Sequence, residues 1–220
     1  MAGNTANNMN EKVVLSLNDI HVSFDGNPVL NGVSVGLYPG EVLGIRGENA
    51  AGKSTLLSVM AGILRPQQGT RAAAPGAEIR IVPQDIALYP SLTGKQNLEF
   101  FAEADGFFGS AERNRVNEML RIFNLESSAK KRVETYSGGM KRRLNMAVSL
   151  IRTPDILLLD EPTVGADTHS VGIMLGCIKA LKELGTSIVL ISHNRSDLDA
   201  VCDRTVELRN GILLGAEDGE

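Results

Sequence analysis

Two clusters of residues carry groups that could do chemistry. The first is Gly47-Glu48-Asn49-Ala50-Ala51-Gly52-Lys53-Ser54, which fits the pattern G-x-x-x-x-G-K-[ST]. A polyphosphate needs several donors close together without steric crowding. Glycines let backbone N–H groups curl around a phosphate, and a helix N-terminus adds partial positive charge. Lys53 would bring a formal charge to the β- and γ-phosphates, and Ser54 a hydroxyl for Mg²⁺. The second cluster is Asp160-Glu161, delivered at the end of Leu157-Leu158-Leu159. Carboxylates at the end of a buried strand cost desolvation unless a cation is near. Asp160 suits a place in a Mg²⁺ shell, and Glu161 suits a general base acting on water.

The elements that must position these groups can be read from the hydrophobic pattern. Val13–Leu17, Ile20–Phe24 and Val29–Leu37 read as strands, with a turn at Asp25-Gly26-Asn27. Glu41–Ile45 is a strand running into the glycine loop, and Ser54–Leu64 has helical character. Ala72–Gly76 reads as a small-residue linker and Ile79–Val82 as a strand closed by Pro83-Gln84. Three helices are then expected without an intervening strand. One opens on a capping box at Thr93–Gln96, one spans about Ser110–Phe123, and one begins near Ser137. Strand–helix alternation resumes with Ile156–Leu159, Ser170–Leu184 and Ser187–Ile191, and the chain closes on a hairpin turning at Asn210-Gly211. The expected fold class is α/β: a mainly parallel sheet flanked by helices, an N-terminal antiparallel β-subdomain, and an inserted helical subdomain. Residues 1–12 read as a disordered tail and 13–220 as a single domain. Its core is expected at about 13–84 and 154–215, and the helical subdomain at about 85–153.

Composition sets the outer limits. The 220 residues are 43% hydrophobic and 22% charged with a net charge of −4, which is ordinary globular composition. The acidic balance gives no bulk footprint for nucleic acid, and none is expected as a partner. Cys177 and Cys202 are too few for a disulfide framework and read as small hydrophobes, so a reducing compartment is the default. No apolar run approaches the 18 or so residues of a bilayer span. The basic stretches Lys130-Lys131-Arg132 and Lys141-Arg142-Arg143 invite a nucleic-acid or lipid reading, but the second follows Ser137–Met140 on a helix and reads as a solvated face or interface.

Ser137-Gly138-Gly139-Met140-Lys141, a little upstream of the Asp160 strand, brings the whole pattern into one family. With the glycine loop and Asp160-Glu161 in this order, the chain resembles an ATP-binding cassette (ABC) ATPase, of the kind that serves as the nucleotide-binding subunit of a transporter. The resemblance covers nearly all of Val13–Leu214. It implies that Phe24 stacks on adenine, that the loop from Gly47 to Ser54 together with Thr55 binds nucleotide, and that Gln84 reaches Mg²⁺ and the γ-phosphate. Asp167, in Val164-Gly165-Ala166-Asp167, falls in the D-loop, and His193 falls at the switch position. The resemblance further implies ATP and Mg²⁺ as ligands and ATP hydrolysis as the activity. Ser137, Gly138, Gly139 and Met140 would complete the site of a second ATPase subunit, in a homo- or heterodimer closed by ATP. Asp85–Leu92 would lie where transporter relatives receive an integral membrane permease, which places the chain on the cytoplasmic face of the membrane.

Three positions depart from the family pattern. Ala50 stands where glycine is usual and is expected to fit with a negative φ. Tyr136 replaces a leucine, and Met140 replaces a glutamine. Two other classes share parts of this pattern. A soluble relative of the iron–sulfur assembly kind remains compatible with one cassette. A non-hydrolysing regulator is disfavoured by the presence of Glu161.

Overall fold

The computed structural model describes residues 13–215. The described residues form nine strands and six α-helices: β1 (Leu15–Phe24), β2 (Asn27–Leu37), β3 (Val42–Arg46), α1 (Lys53–Ala61), β4 (Gln68–Ala73), β5 (Ile79–Val82), α2 (Gly94–Ala104), α3 (Gly109–Ile122), α4 (Gly138–Ser149), β6 (Ile156–Asp160), α5 (Thr168–Glu183), β7 (Ser187–Ile191), α6 (Arg195–Val201), β8 (Arg204–Arg209) and β9 (Ile212–Leu214). The tail expected at residues 1–12 lies outside the described residues.

One sheet has the order β5-β6-β7-β3-β8-β9, parallel except for the β8–β9 hairpin. The continuous apolar runs are buried on both faces, with alternate residues serving two different cores. Leu157 and Leu159 of β6, with Ile188 and Leu190 of β7, face the helical region. Ile156, Leu158, Val189 and Ile191 face α1 and the antiparallel sheet. The register then fixes the site. Ile45 pairs with Ile191, Ile191 with Asp160, and Leu159 with Val82. The residues leaving these four strands therefore emerge side by side at one sheet edge: Gly47, His193, Glu161 and Gln84. Ligands gather at this carboxyl edge in open α/β sheets.

The second sheet, β2-β1-β4, is antiparallel. Here the structure departs from the sequence reading. The two strands expected at residues 13–24 are one ten-residue strand with shifts in register. Part of the expected linker is β4, which pairs with β1 through its backbone while its side chains stay largely outside the core. A Cβ on Gly69 would lie 2.2 Å from the Asp19 carbonyl oxygen, so only glycine permits the approach at this irregular pairing. Helix α6 was also unexpected; Asn194 caps it by accepting the Ser196 N–H.

Helices α2, α3 and α4 follow one another between β5 and β6. The capping box at Thr93 and Gln96 forms with both of its hydrogen bonds, and Ser137 caps α4 by accepting the Met140 N–H. No helix among the described residues is long and apolar enough to cross a membrane.

Candidate functional site

A cleft of about 480 Å³ opens over the sheet edge, lined by Phe24, Val29, Asn49, Ala50, Gly52, Lys53, Ser54, Thr55, Gln84 and Glu161. Gly52 adopts φ of +100° and starts α1 with no side chain capping it, so the first amides of the helix face the cleft unclaimed by a side chain. A Cβ on Gly52 would approach the Val29 carbonyl oxygen to 2.9 Å. Lys53 is buried, and its Nζ donates to the carbonyls of Gly47 at 2.7 Å and Glu48 at 2.9 Å. An ammonium has three donors. The third lies toward Glu161 Oε1, 3.8 Å away.

Glu161 sits at the floor with only 7% exposure. Its backbone is left-handed, with φ of +46°, which is sterically costly for a residue with a side chain. The conformation is held by its N–H, which donates to the Ile191 carbonyl across the sheet edge. On the other side, Glu161 Oε2 meets His193 Nδ1 at 3.0 Å. One carboxylate thus stands between an ammonium and an imidazole. Asp160 lies beneath, with Ser54 hydrogen-bonded to it. Burial holds the Asp160 carboxyl above its ordinary range, against the Ser54 hydrogen bond, and the neighbouring Glu161 charge adds to the rise.

The Asp160–Ser54 pair suits Mg²⁺. Hard oxygen donors from a carboxylate and a hydroxyl match this ion, and a desolvated carboxylate gains from a cation beside it. Among the described residues no cluster of three His, Cys, Asp or Glu forms, so ligand phosphates and water would fill the remaining positions.

Phe24 ends β1 half-exposed at the rim. The structure therefore brings Phe24, Asn49, Ala50, Gly52, Lys53, Ser54, Thr55, Gln84 and Glu161 into one cleft, with Asp160 and His193 attached to it. Gly47 and Glu48 contribute carbonyls to Lys53, while Ala51 is buried. Ser137, Gly138, Gly139, Met140 and Asp167 do not line the cleft. Gly139 packs on Asp167 and Ser170 instead: a Cβ there would fall 2.3 Å from Asp167 Oδ2 and 2.4 Å from Ser170 Oγ. Asp167 caps α5, taking hydrogen bonds from Ser170 N and Ser170 Oγ, which keep its carboxyl below the usual range.

Two expectations need correction. Ala50 has φ of +63°, not a negative value, because the loop turns there through the left-handed region that a glycine would fill without strain. In the basic run after the signature, read as a solvated face or interface, Arg143 is not solvated. Arg143 is buried and donates to the carbonyls of Phe123 and Asn124 and to Ser170 Oγ. Arg142 donates to the carbonyls of Val164 and Gln84. Tyr136 is explained by its surroundings. Its hydroxyl donates to the Ser128 carbonyl at 2.8 Å, in space left by the absent Cβ of Gly94.

The sequence reading also missed Val29, which lines the cleft, and Asp197. Asp197 is buried, accepts from Thr163 Oγ1 at 2.6 Å and from Asn194 Nδ2 at 3.1 Å, and so ties the turn after Glu161 to the residue after His193. The signal available in the sequence was the helix-start spacing of Asn194 and Asp197.

The chain is similar to known proteins over most of its length. The family model described as ABC transporter matches residues 30–164. A linearmycin resistance ATP-binding protein of Bacillus subtilis is 36% identical over 91% of this chain and 68% of its own length. A Nod factor export ATP-binding protein of Burkholderia pseudomallei is 34% identical over 90% of this chain and 68% of its own. A doxorubicin resistance ATP-binding protein of Mycobacterium tuberculosis is 32% identical over 93% of this chain and 66% of its own, so the chain spans about two thirds of these relatives. A solved ATP-binding subunit of an ABC transporter superposes with a TM-score of 0.82 at 27% identity, over 93% of this chain and 90% of that one. A dimeric ATP-binding cassette bound to ADP and Pi shares the fold, with a TM-score of 0.81 at 24% identity over 94% and 97% of the two chains. The chain belongs to the ABC transporter family. It is the ATP-binding, ATP-hydrolysing component of such a system.

Proposed function

We propose that the chain binds ATP with Mg²⁺ over Lys53, pairs with a second cassette subunit, and powers export through a separate integral membrane permease. The observation that carries this reading is Glu161, fixed between Lys53 Nζ and His193 Nδ1 at the floor of the cleft. Phe24 offers its exposed ring to adenine. The loop amides and the third Lys53 donor take the phosphates, and Ser54, Asp160 and Gln84 would hold the metal ion. Mg²⁺, when bound, neutralises charge on the β- and γ-phosphate oxygens. Glu161 orients a water in line with the γ-phosphate and accepts its proton. His193 holds Oε2, and Oε1 would turn from Lys53 to that water once the ammonium is drawn to phosphate, with the far nitrogen of His193 assisting at the phosphate. Positioning and charge provide most of the acceleration.

Ser137–Met140 would close the cleft of the second copy, since they do not reach their own. Ile86, Tyr89 and Phe100 give the permease an exposed apolar surface beside Gln84, with Tyr89 and Phe100 in edge-to-face contact at 4.8 Å. This docking places the chain at the cytoplasmic face. Export is favoured by the relatives, which are named for drug resistance and Nod factor export. The test is phosphate release by the wild type and by Lys53→Ala, together with identification of the protein that co-purifies. ATP-dependent release lost by roughly 10²-fold or more in the variant, and a multi-span partner, are expected. Release independent of Lys53, or a soluble scaffold as partner, would overturn the reading.

A further inference from the structure

Helix α4 does more than present the signature edge. Four residues into it, Arg142 donates from Nε to the Val164 carbonyl at 3.1 Å and from Nη1 to the Gln84 carbonyl. One helical step further on the same face, buried Asn145 accepts the Ala87 N–H at 2.9 Å and donates to the Pro83 carbonyl at 3.4 Å. The backbone on both sides of Gln84 is therefore fastened to α4. The turn before Asp167 is fastened to the same guanidinium. Arginine suits this task because its donors fan out from a rigid plane, so the separation of the two carbonyls is set by one group. Lysine has a single flexible point of attachment.

We propose that Arg142, seconded by Asn145, is a positioning residue that locks Gln84, the signature edge and the D-loop turn into one moving unit. When the nucleotide and its ion draw on the Gln84 side chain, the backbone shift passes through Arg142 to Ser137–Met140 and to Val164–Asp167. A cleft filled in one copy thereby presents a correctly placed edge to the other. Without the clamp, each part still folds and the cleft still binds nucleotide, but occupancy is no longer reported to the dimer surface. The inference rests on the paired-subunit reading above.

The test uses the full chain carrying Glu161→Gln, alone and combined with Arg142→Ala, Arg142→Lys or Asn145→Ala. Three quantities are read: affinity for a fluorescent ATP analogue, the Mg²⁺ concentration that half-saturates its signal, and the protein concentration at which ATP drives dimerisation by light scattering. For Arg142→Ala, analogue affinity should stay within about threefold. Half-saturating Mg²⁺ should rise severalfold, and the dimerisation midpoint should rise roughly tenfold, the scale of a typical coupling between sites. Arg142→Lys should recover only part of the loss, and Asn145→Ala should shift both quantities in the same direction by less. Unchanged Mg²⁺ dependence and dimerisation would overturn the proposal. So would losses in all three quantities by the same factor, which would mark Arg142 as a general structural support. If the Glu161→Gln parent itself fails to dimerise with ATP, the paired reading falls. The Mg²⁺ response of Arg142→Ala, which needs no second copy, then still decides whether Arg142 positions Gln84.

Discussion

Two serine- and glycine-bearing turns start helices in this chain, and they are built in opposite ways. At the first, Gly52 enters α1 in a left-handed conformation with no side-chain cap, and a buried lysine and two buried carboxylates crowd the space beside it. At the second, Ser137 caps α4 with its own hydroxyl, Ser137 and Gly138 are exposed, and Gly139 is a glycine because Asp167 and Ser170 fill the position of its side chain. The first turn owns acids, a cation and a place for a metal. The second presents an exposed edge of Ser137 and Gly138, with Asp167 packed behind Gly139. Under the proposed function such an edge would meet a phosphate held by a second copy, and the difference between the two turns sets out what a shared site would require of each.

Substitutions can break or sharpen that contrast. The largest effect is expected from Glu161→Gln, which keeps the shape of the first region but removes its base. Phosphate release should fall by about 10²–10⁴-fold, with analogue affinity nearly unchanged. A rate within threefold of wild type would remove Glu161 from the chemistry. Next comes Gly139→Ala in the second region, where the added methyl meets Asp167 and Ser170. Calorimetry should show Tm lower by roughly 2–4 °C for each of the about 1–3 kcal/mol that overpacking costs. An unchanged Tm would mean that the two helix starts are not packed as described.

A smaller effect separates the regions by pH. Burial holds the Asp160 carboxyl above its ordinary 3.8, so the folded form binds this proton more tightly than the unfolded chain. Stability from this group therefore falls as pH rises from 3.8 through the raised value, and it returns as pH is lowered through the same window. Asp160→Asn removes the penalty. The nucleotide-free variant should melt above wild type at pH 8 and lose that advantage toward pH 4. A variant less stable than wild type at pH 8 would show that the Ser54 hydrogen bond outweighs desolvation. The smallest effect is expected from Ala50→Gly, which relieves a methyl at φ of +63°. A gain of up to about 1 kcal/mol is expected, offset in part by the freer unfolded chain. A lowered Tm would contradict it.

Much of this was legible in the residues. Runs such as Leu157–Leu159 and Ile188–Ile191 announce strands buried on both faces, because they lack alternation and end in polar residues. Gly47–Ser54 and Asp160-Glu161 announce their chemistry by residue type. What escaped was structure held by backbone or by single polar contacts. β4 has no apolar alternation, and pairing with β1 makes it a strand. The left-handed turn at Ala50 cannot be inferred from alanine. Arg142 and Arg143 look like surface charge until the carbonyls of Gln84, Val164, Phe123 and Asn124 are found facing them. Spacing along a sequence does not reveal which carbonyls a long side chain will reach.

The shared site itself is tested most directly by mixing two disabled chains, Lys53→Ala and Gly138→Asp. Each alone should be inactive in phosphate release. If each cleft is completed by the other copy's edge, a mixed pair contains one cleft with both lesions and one with none. An equal mixture should then recover about a quarter of wild-type activity, since half of the pairs are mixed and each has one intact cleft. If instead each chain completes its own cleft, the mixture will remain as inactive as its components, and the account of two cooperating turns will be wrong.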